Sequence, residues 1–373
     1  MDNMNIGKTF GGFYKNKTVF VTGHTGFHGS WLSLWLKSLG AIVIGFSLEP
    51  PTKPSMFKLL QLEKQITHLI GDIRDKDLLH RSLLKYNPEI IFHLAAQPLV
   101  LESFERPIET FSTNILGTAN LLECARNISN LKVCIVYTSD KCYAHNENLH
   151  AFTENDPLGG NDPYSASKAA AEIITTSYRN SFFNIKNTTN LATIRAGNVM
   201  GGGDWAKYRL VPDCMRALIS NKKIKIRNPN AIRPWQYVLE PLSGMLDLTI
   251  KMWNNSNYSE SWNFGPDLVS EDITVRKIAT QIATEWQSDN VIELENNSKN
   301  NNHEENYLKI DSSKAKKRLG WKPVYSLNNS IRETVKWYKS FSGNKINMNE
   351  FTLKQINNYV SKAKEQNLSW TAT

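Results

Sequence analysis

Cysteine is scarce in this 373-residue chain, which carries only Cys124, Cys134, Cys142 and Cys214. None forms a CxxC pair, and no Cys/His cluster has zinc spacing, so neither a disulfide scaffold nor a metal centre is expected. Free, mostly buried thiols fit a reducing compartment, and the expected location is cytoplasmic. No run of about 18 apolar residues occurs, which argues against a membrane span. Residues 1–17 are polar and lack an apolar h-region, so no signal peptide is expected. Lys and Arg outnumber Asp and Glu by 44 to 35, a formal net charge of +9, yet no dense basic run and no nucleic-acid motif stands out. The charge reads as solubility, with attraction of an anionic ligand such as a nucleotide diphosphate as the functional alternative. Internal repeats are absent.

What is present is an ordinary globular composition, 40% hydrophobic and 21% charged, long enough for one large domain or two smaller ones. Thr18–Thr22 reads as a buried strand, and 27–39 as a helix with Trp31, Leu34, Trp35 and Leu39 on one face. Further strands are predicted at 41–46, 66–70, 90–94, 133–138 and 191–195, with helices at 75–85, 107–127 and 163–183. Alternating strands and helices imply an α/β fold, a doubly wound parallel sheet covered on both faces. After Gly201 the pattern breaks into shorter elements punctuated by Gly and Pro. The division expected is 13–200 for a dinucleotide-binding domain, with 236–268 returning to it. A smaller mixed substrate-binding region takes 201–235 and 269–340, and 341–373 forms a peripheral C-terminal helix and tail, the helix at 349–366. Residues 287–306, rich in Asn, Glu and Lys, read as an exposed loop.

Gly23, Gly26 and Gly29 follow the first strand and open the first helix, three residues apart. That spacing supplies a tight turn, close approach of backbone to a pyrophosphate, and close helix–sheet packing. The helix N-terminus adds unpaired N–H groups and a positive dipole end. One expected feature is missing: the second strand ends at Gly45–Glu49, where Ser47 takes the position usually held by an acid on the ribose hydroxyls, and no Arg marks a 2′-phosphate. NAD is favoured over NADP.

Two Tyr-x-x-x-Lys pairs occur, Tyr137/Lys141 and Tyr164/Lys168. The first spans the end of a predicted strand, where residues four apart share no helical face. The second sits near the start of a helix and puts both side chains on one face. There Lys168 can lower the Tyr164 pKa and hold the cofactor ribose.

These motifs resemble the extended short-chain dehydrogenase/reductase family, on a Rossmann-type fold. The resemblance extends to Asp72-Ile73 as an adenine contact, Leu94-Ala95-Ala96 as a cofactor wall, and Asn114 in an Asn-x-x-Gly-Thr signature; Thr25, Phe27 and His28 complete the glycine turn. A Ser or Thr about 25 residues before the Tyr assigns Ser139 to the catalytic set. Asp140-Lys141 immediately after it resembles the nucleotide-sugar 4,6-dehydratases, as do the stretches 23–31, 95–100, 139–143, 156–172 and 233–241. Among these the match is to the branch that takes CDP-glucose. His28 departs from that pattern, where Lys is expected, and Leu101 stands where a basic residue is usual.

The resemblance implies a hydro-lyase reaction. Tyr164 takes a proton from the C4 hydroxyl while hydride passes to NAD, Lys141 removes the C5 proton, Asp140 protonates the departing C6 hydroxyl, and hydride returns to C6. It places Gln97, Ser139, Arg195, Asn198, Arg209 and Arg233 around the substrate, the arginines as phosphate ligands. Trp205 and Trp235 read as core. A nucleotide-sugar 4-epimerase, which does without Asp140-Lys141, a dehydratase acting on another sugar nucleotide, and a non-catalytic NAD-binding scaffold are the alternatives. The resemblance also implies a homodimer built from the helices at 107–127 and 163–183, or a tetramer, and a place in deoxysugar synthesis for a bacterial surface polysaccharide such as an O-antigen.

Overall fold

The computed structural model describes residues 6–144, 150–183, 189–268, 273–288, 292–294, 307–343 and 346–372. Its centre is a sheet of seven strands. Six come from the first half: β1 (Thr18–Thr22), β2 (Ile42–Ser47), β3 (Thr67–Ile70), β4 (Ile90–His93), β5 (Val133–Tyr137) and β6 (Asn190–Ala196). The seventh, Ser261–Phe264, adds beyond β6, giving the order Ser261–Phe264, β6, β5, β4, β1, β2, β3. Every neighbouring pair is parallel.

The side-chain period of two explains why these strands read as unbroken apolar runs. Val19 and Val21 enter one core cluster, while Phe20 between them enters the other. Ile135 likewise joins the first cluster, and Cys134 and Val136 the second. Both faces are covered, as a parallel sheet with helical crossovers requires. All four cysteines are buried and unpaired.

The crossover helices include Phe27–Ser38, Lys76–Tyr86 and Pro163–Tyr178. Asp75 caps the second by accepting from Leu78 N at 3.0 Å. Asp162 caps the third by accepting from Ser165 N at 2.9 Å, with Pro163 in the first turn. The helix expected over 107–127 is segmented into Pro107–Phe111, a wider turn at Ser112–Leu116, and Gly117–Ala125. Strand order reverses between β1, which continues to β2 on one side, and β4 on the other. In a doubly wound sheet the ligand crevice lies at the carboxyl ends of the strands at such a point.

Two expectations for the C-terminal part are corrected. Within 287–306, Ile292–Leu294 is a strand paired in parallel with Ile224–Ile226, not loop; 289–291 and 295–306 lie outside the described residues. The helix Met348–Glu365 is not peripheral, for it fully buries Ile356, Tyr359 and Ala363 in the main core. Tyr359 donates to Glu240 at 2.6 Å, and the same carboxylate accepts from the amides of Val324 and Tyr325 at 2.9 Å each. The polar run Asn357-Asn358, on the outer side of that helix, disguised its buried face.

Candidate active site

The glycine turn sits at the carboxyl end of β1. Gly23 adopts φ +76°, and a side chain there would come within 2.7 Å of Ala95 N, so only glycine lets the turn approach the end of β4. A side chain at Gly29 would collide with the Gly23 carbonyl. No side chain caps the helix Phe27–Ser38, which leaves its first-turn amides available to an anion. Thr25 Oγ1 lies 2.9 Å from Ser47 Oγ and donates to Leu48 O at 3.0 Å, tying the turn to the end of β2. These residues fit a dinucleotide: a tight cradle, unclaimed amides, and hydroxyls where an acid would otherwise meet the ribose.

The other residues expected at the cofactor divide by position. Leu94 and Ala96 line the cavity described next. Asp72 is engaged by Arg74, whose guanidinium donates to it at 2.6 Å and holds its carboxyl below the usual range. Ile73 is buried, packed opposite Gly117. Asn114 accepts from Gln97 N at 2.8 Å and donates to Gln97 O at 3.1 Å and to Ser167 Oγ at 2.8 Å. It therefore staples the loop after β4 to the helix Pro163–Tyr178.

Next to the cradle is a cavity of about 280 Å³. Ser139, Asp140, Lys141, Tyr164 and Lys168 all line it. The turn Asp140–Cys142 follows β5, and the Ser139 hydroxyl caps it by accepting from Lys141 N at 3.2 Å. The same hydroxyl donates to Asp140 Oδ1 at 3.0 Å and hydrogen-bonds Tyr164. Burial pushes the Tyr164 phenol up to about 12, opposed by the Ser139 hydrogen bond and the charge of Arg209. Lys168, its ammonium 5.9 Å from the Tyr164 ring centre, is pushed down to about 8 by burial. Among the strongest influences on the phenol, the cation is Arg209.

The cavity brings in Asn198, Arg209 and Arg233 from the second half of the chain, and also His28 and Leu101. Arg209 pairs with Asp204 at 3.0 Å. Two residues expected at the substrate lie elsewhere. Arg195 is buried and pairs with Glu172 at 2.8 Å, while donating to Tyr143 OH at 2.9 Å. Gln97 is tied to its own loop, donating to Leu99 O at 3.0 Å, and to the helix Pro107–Phe111, donating to Thr110 Oγ1 at 2.9 Å. Trp205 is core, packed on Phe341 at 4.9 Å, whereas Trp235 is buried yet lines the cavity.

Sequence reasoning missed Glu172. Burial would push its carboxyl up, but Arg195 and the hydroxyls of Thr138 and Thr193 outweigh that and hold it low. Thr138 donates to it at 2.5 Å and Thr193 at 2.8 Å, so Glu172 anchors the end of β5 from which Ser139 and Asp140 project. Its one signal was a lone acid in an alanine-rich helix. The geometry gathers a phenol, a carboxyl and an amine, three groups able to exchange protons, around one cavity.

The family model described as GDP-mannose 4,6 dehydratase matches residues 20–334. The chain belongs to this family. Within the comparisons it is 49% identical over 335 residues to a CDP-glucose 4,6-dehydratase of Salmonella typhimurium, covering 88% of this chain and 92% of that relative. A dTDP-glucose 4,6-dehydratase of Xanthomonas campestris is 26% identical, covering 86% of this chain and 93% of its own. The crystal structure of a dTDP-glucose 4,6-dehydratase from Bacillus anthracis in complex with NAD superposes with a TM-score of 0.72 at 22% identity, over 87% of this chain and 97% of that one. A Thermotoga maritima UDP-glucose 4-epimerase with UDP-glucose gives 0.74 at 22% identity, over 87% and 99%. The family fold thus carries both dehydratases and epimerases, and residues at the site must separate them.

Proposed function

We propose that the chain is an NAD-dependent CDP-glucose 4,6-dehydratase, converting CDP-D-glucose to CDP-4-dehydro-6-deoxy-D-glucose and water. The observation that carries this reading is that Asp140 and Lys141 line the same cavity as Ser139, Tyr164 and Lys168. An epimerase needs the last three alone. The 49% identity to the Salmonella enzyme supports CDP as the nucleotide.

The cradle from Gly23 to Gly29 and Lys168 hold NAD, which supplies the hydride acceptor for C4 and the hydride returned at C6. Tyr164, with Ser139 orienting the substrate, removes the C4 hydroxyl proton; the cation of Arg209 favours its phenolate. Oxidation makes C5 α to a ketone, so its proton becomes acidic. Lys141 then takes that proton, and Asp140, buried and bonded to Ser139, protonates the C6 hydroxyl as water departs. Lys141 returns a proton to C5 at the end. Arg209, Arg233 and Asn198 hold the diphosphate.

In this reading 13–200 with 236–268 carries the cofactor, and 201–235 with 269–340 carries the sugar nucleotide. The enzyme works in the cytoplasm, consistent with four unpaired thiols. It acts as a homodimer through the helices around Ile108, Leu116 and Ile173, which are 77%, 60% and 56% exposed in the single chain. Light scattering on the purified protein tests this state: a monomer rules the dimer out, and a tetramer adds a second interface.

The deciding experiment is incubation with CDP-, dTDP-, GDP- and UDP-glucose plus NAD, followed by mass spectrometry. Loss of one water from the CDP sugar is expected. Conversion to an isomer of unchanged mass contradicts the reading.

A further inference from the structure

Among the polar atoms of the cavity wall that are buried and hydrogen-bond to nothing among the described residues, with Trp235 Nε1 as another, Nε2 of His28 and the hydroxyl of Tyr137 belong to neighbouring rings. Their rings are 5.2 Å apart and inclined at 44°. His28 belongs to the first turn of the helix that opens the cofactor cradle. Tyr137 ends β5, and its carbonyl accepts from Lys168 Nζ at 3.5 Å. Thus the pair joins the glycine turn to the catalytic lysine. The reaction scheme uses neither group.

Buried polar atoms are almost always paired, and two orphans side by side point to a ligand that pairs both. The chemistry of the pair narrows that ligand. Burial, reinforced by the charges of Arg209 and Lys168, pushes the His28 imidazole down to about 3, so it is neutral. Burial pushes the Tyr137 phenol up, so it keeps its proton. A phosphate offers only acceptors, so it would use the Tyr137 hydroxyl but leave an accepting imidazole nitrogen unpaired. A primary carboxamide, with one acceptor oxygen and a donor nitrogen, suits an O–H beside an imidazole nitrogen.

We propose that His28 and Tyr137 grip the carboxamide of the nicotinamide ring, Tyr137 donating to its oxygen and His28 Nε2 accepting from its amide. The proposal rests on the reading that the cradle binds NAD. Both hydrogen bonds act on the end of the cofactor that reacts, and neither touches the adenosine or pyrophosphate.

Calorimetric titration of the full chain tests this without any sugar nucleotide. The probes are NAD, ADP-ribose, which lacks nicotinamide, and 3-acetylpyridine adenine dinucleotide, which replaces the amide by a methyl ketone. Tyr137→Phe and His28→Leu should each weaken NAD binding about three- to tenfold while leaving ADP-ribose affinity intact. His28→Leu should also erase the preference for NAD over the ketone analogue, because the ketone has no amide to donate. Tyr137→Phe should keep that preference, since both ligands retain the oxygen. Unchanged NAD affinity in the variants, or equal losses for NAD and ADP-ribose, overturns the carboxamide grip while leaving the cofactor assignment standing. Failure of the unmodified chain to bind NAD overturns both.

Discussion

Ser139 donates to Asp140 Oδ1 at 3.0 Å with the same hydroxyl that hydrogen-bonds Tyr164. In the proposed mechanism one side chain therefore links the group that would start the redox step to the group that would release water. Asp140→Asn preserves an acceptor for Ser139 but cannot deliver a proton. We expect kcat to fall about 100- to 1,000-fold, with C4 oxidation intact and reduced cofactor building up. Stopped-flow absorbance of the reduced nicotinamide checks this; loss of the oxidation step as well contradicts the assigned roles.

Gly197 flanks the same carboxyl. A side chain at 197 would collide with Pro234 Cγ and come within 2.9 Å of both Asp140 Oδ2 and Pro234 O. Gly197→Val should displace Asp140, lowering kcat at least as far as Asp140→Asn, and should cost about 1–3 kcal/mol of stability through overpacking. Denaturant unfolding beside steady-state kinetics measures both effects.

The buried pair of Glu172 and Arg195 secures the end of β5. Arg195→Met leaves the carboxylate buried without its cation and should cost about 3–5 kcal/mol in urea unfolding. Because Arg195 is absent from the cavity wall, KM for the sugar nucleotide should change little in the folded fraction.

His93 bridges Thr22 at 2.7 Å and Thr118 at 3.1 Å, and burial pushes its imidazole down from 6.5 to about 3. An unfolded chain takes up this proton near 6.5 and the native state does not. The resulting stability is present above pH 6.5 and is lost as pH falls toward 3. Burial pushes the carboxyls of Glu240 and Asp247 up to about 7 and 6, and they act in the opposite sense. The comparison is therefore between the wild type and His93→Gln. The variant, less stable at neutral pH, should regain about 1–2 kcal/mol relative to the wild type between pH 6.5 and 5, read by urea unfolding at each pH. A constant difference contradicts the neutral assignment.

The strand–helix alternation and the glycine turn were legible because each depends on local pattern: Val19 and Phe20 are apolar for opposite faces of one sheet, and Gly23 is required by its own backbone. Ser139, Asp140, Lys141, Tyr164 and Lys168 were readable as a set because short spacings near a strand end and a helix start bring them together. Arg195 misled. An arginine on a strand looks the same whether it meets a phosphate or a buried acid, and its partner Glu172 lies on a different element. The Tyr137–His28 contact joins β5 to the first crossover helix, and no periodicity within either element reports it. Ile292–Leu294 was hidden by the polar residues around a three-residue strand.

The central claim, that the turn after β5 performs elimination in the cavity where Tyr164 oxidises, is tested most directly by isotope exchange. CDP-glucose turned over in deuterated water by the wild type should give a dehydrated product with solvent deuterium at C5. Lys141→Met should form reduced cofactor and no such product, with C5 retaining its hydrogen. Full deuterium exchange at C5 in Lys141→Met contradicts the account.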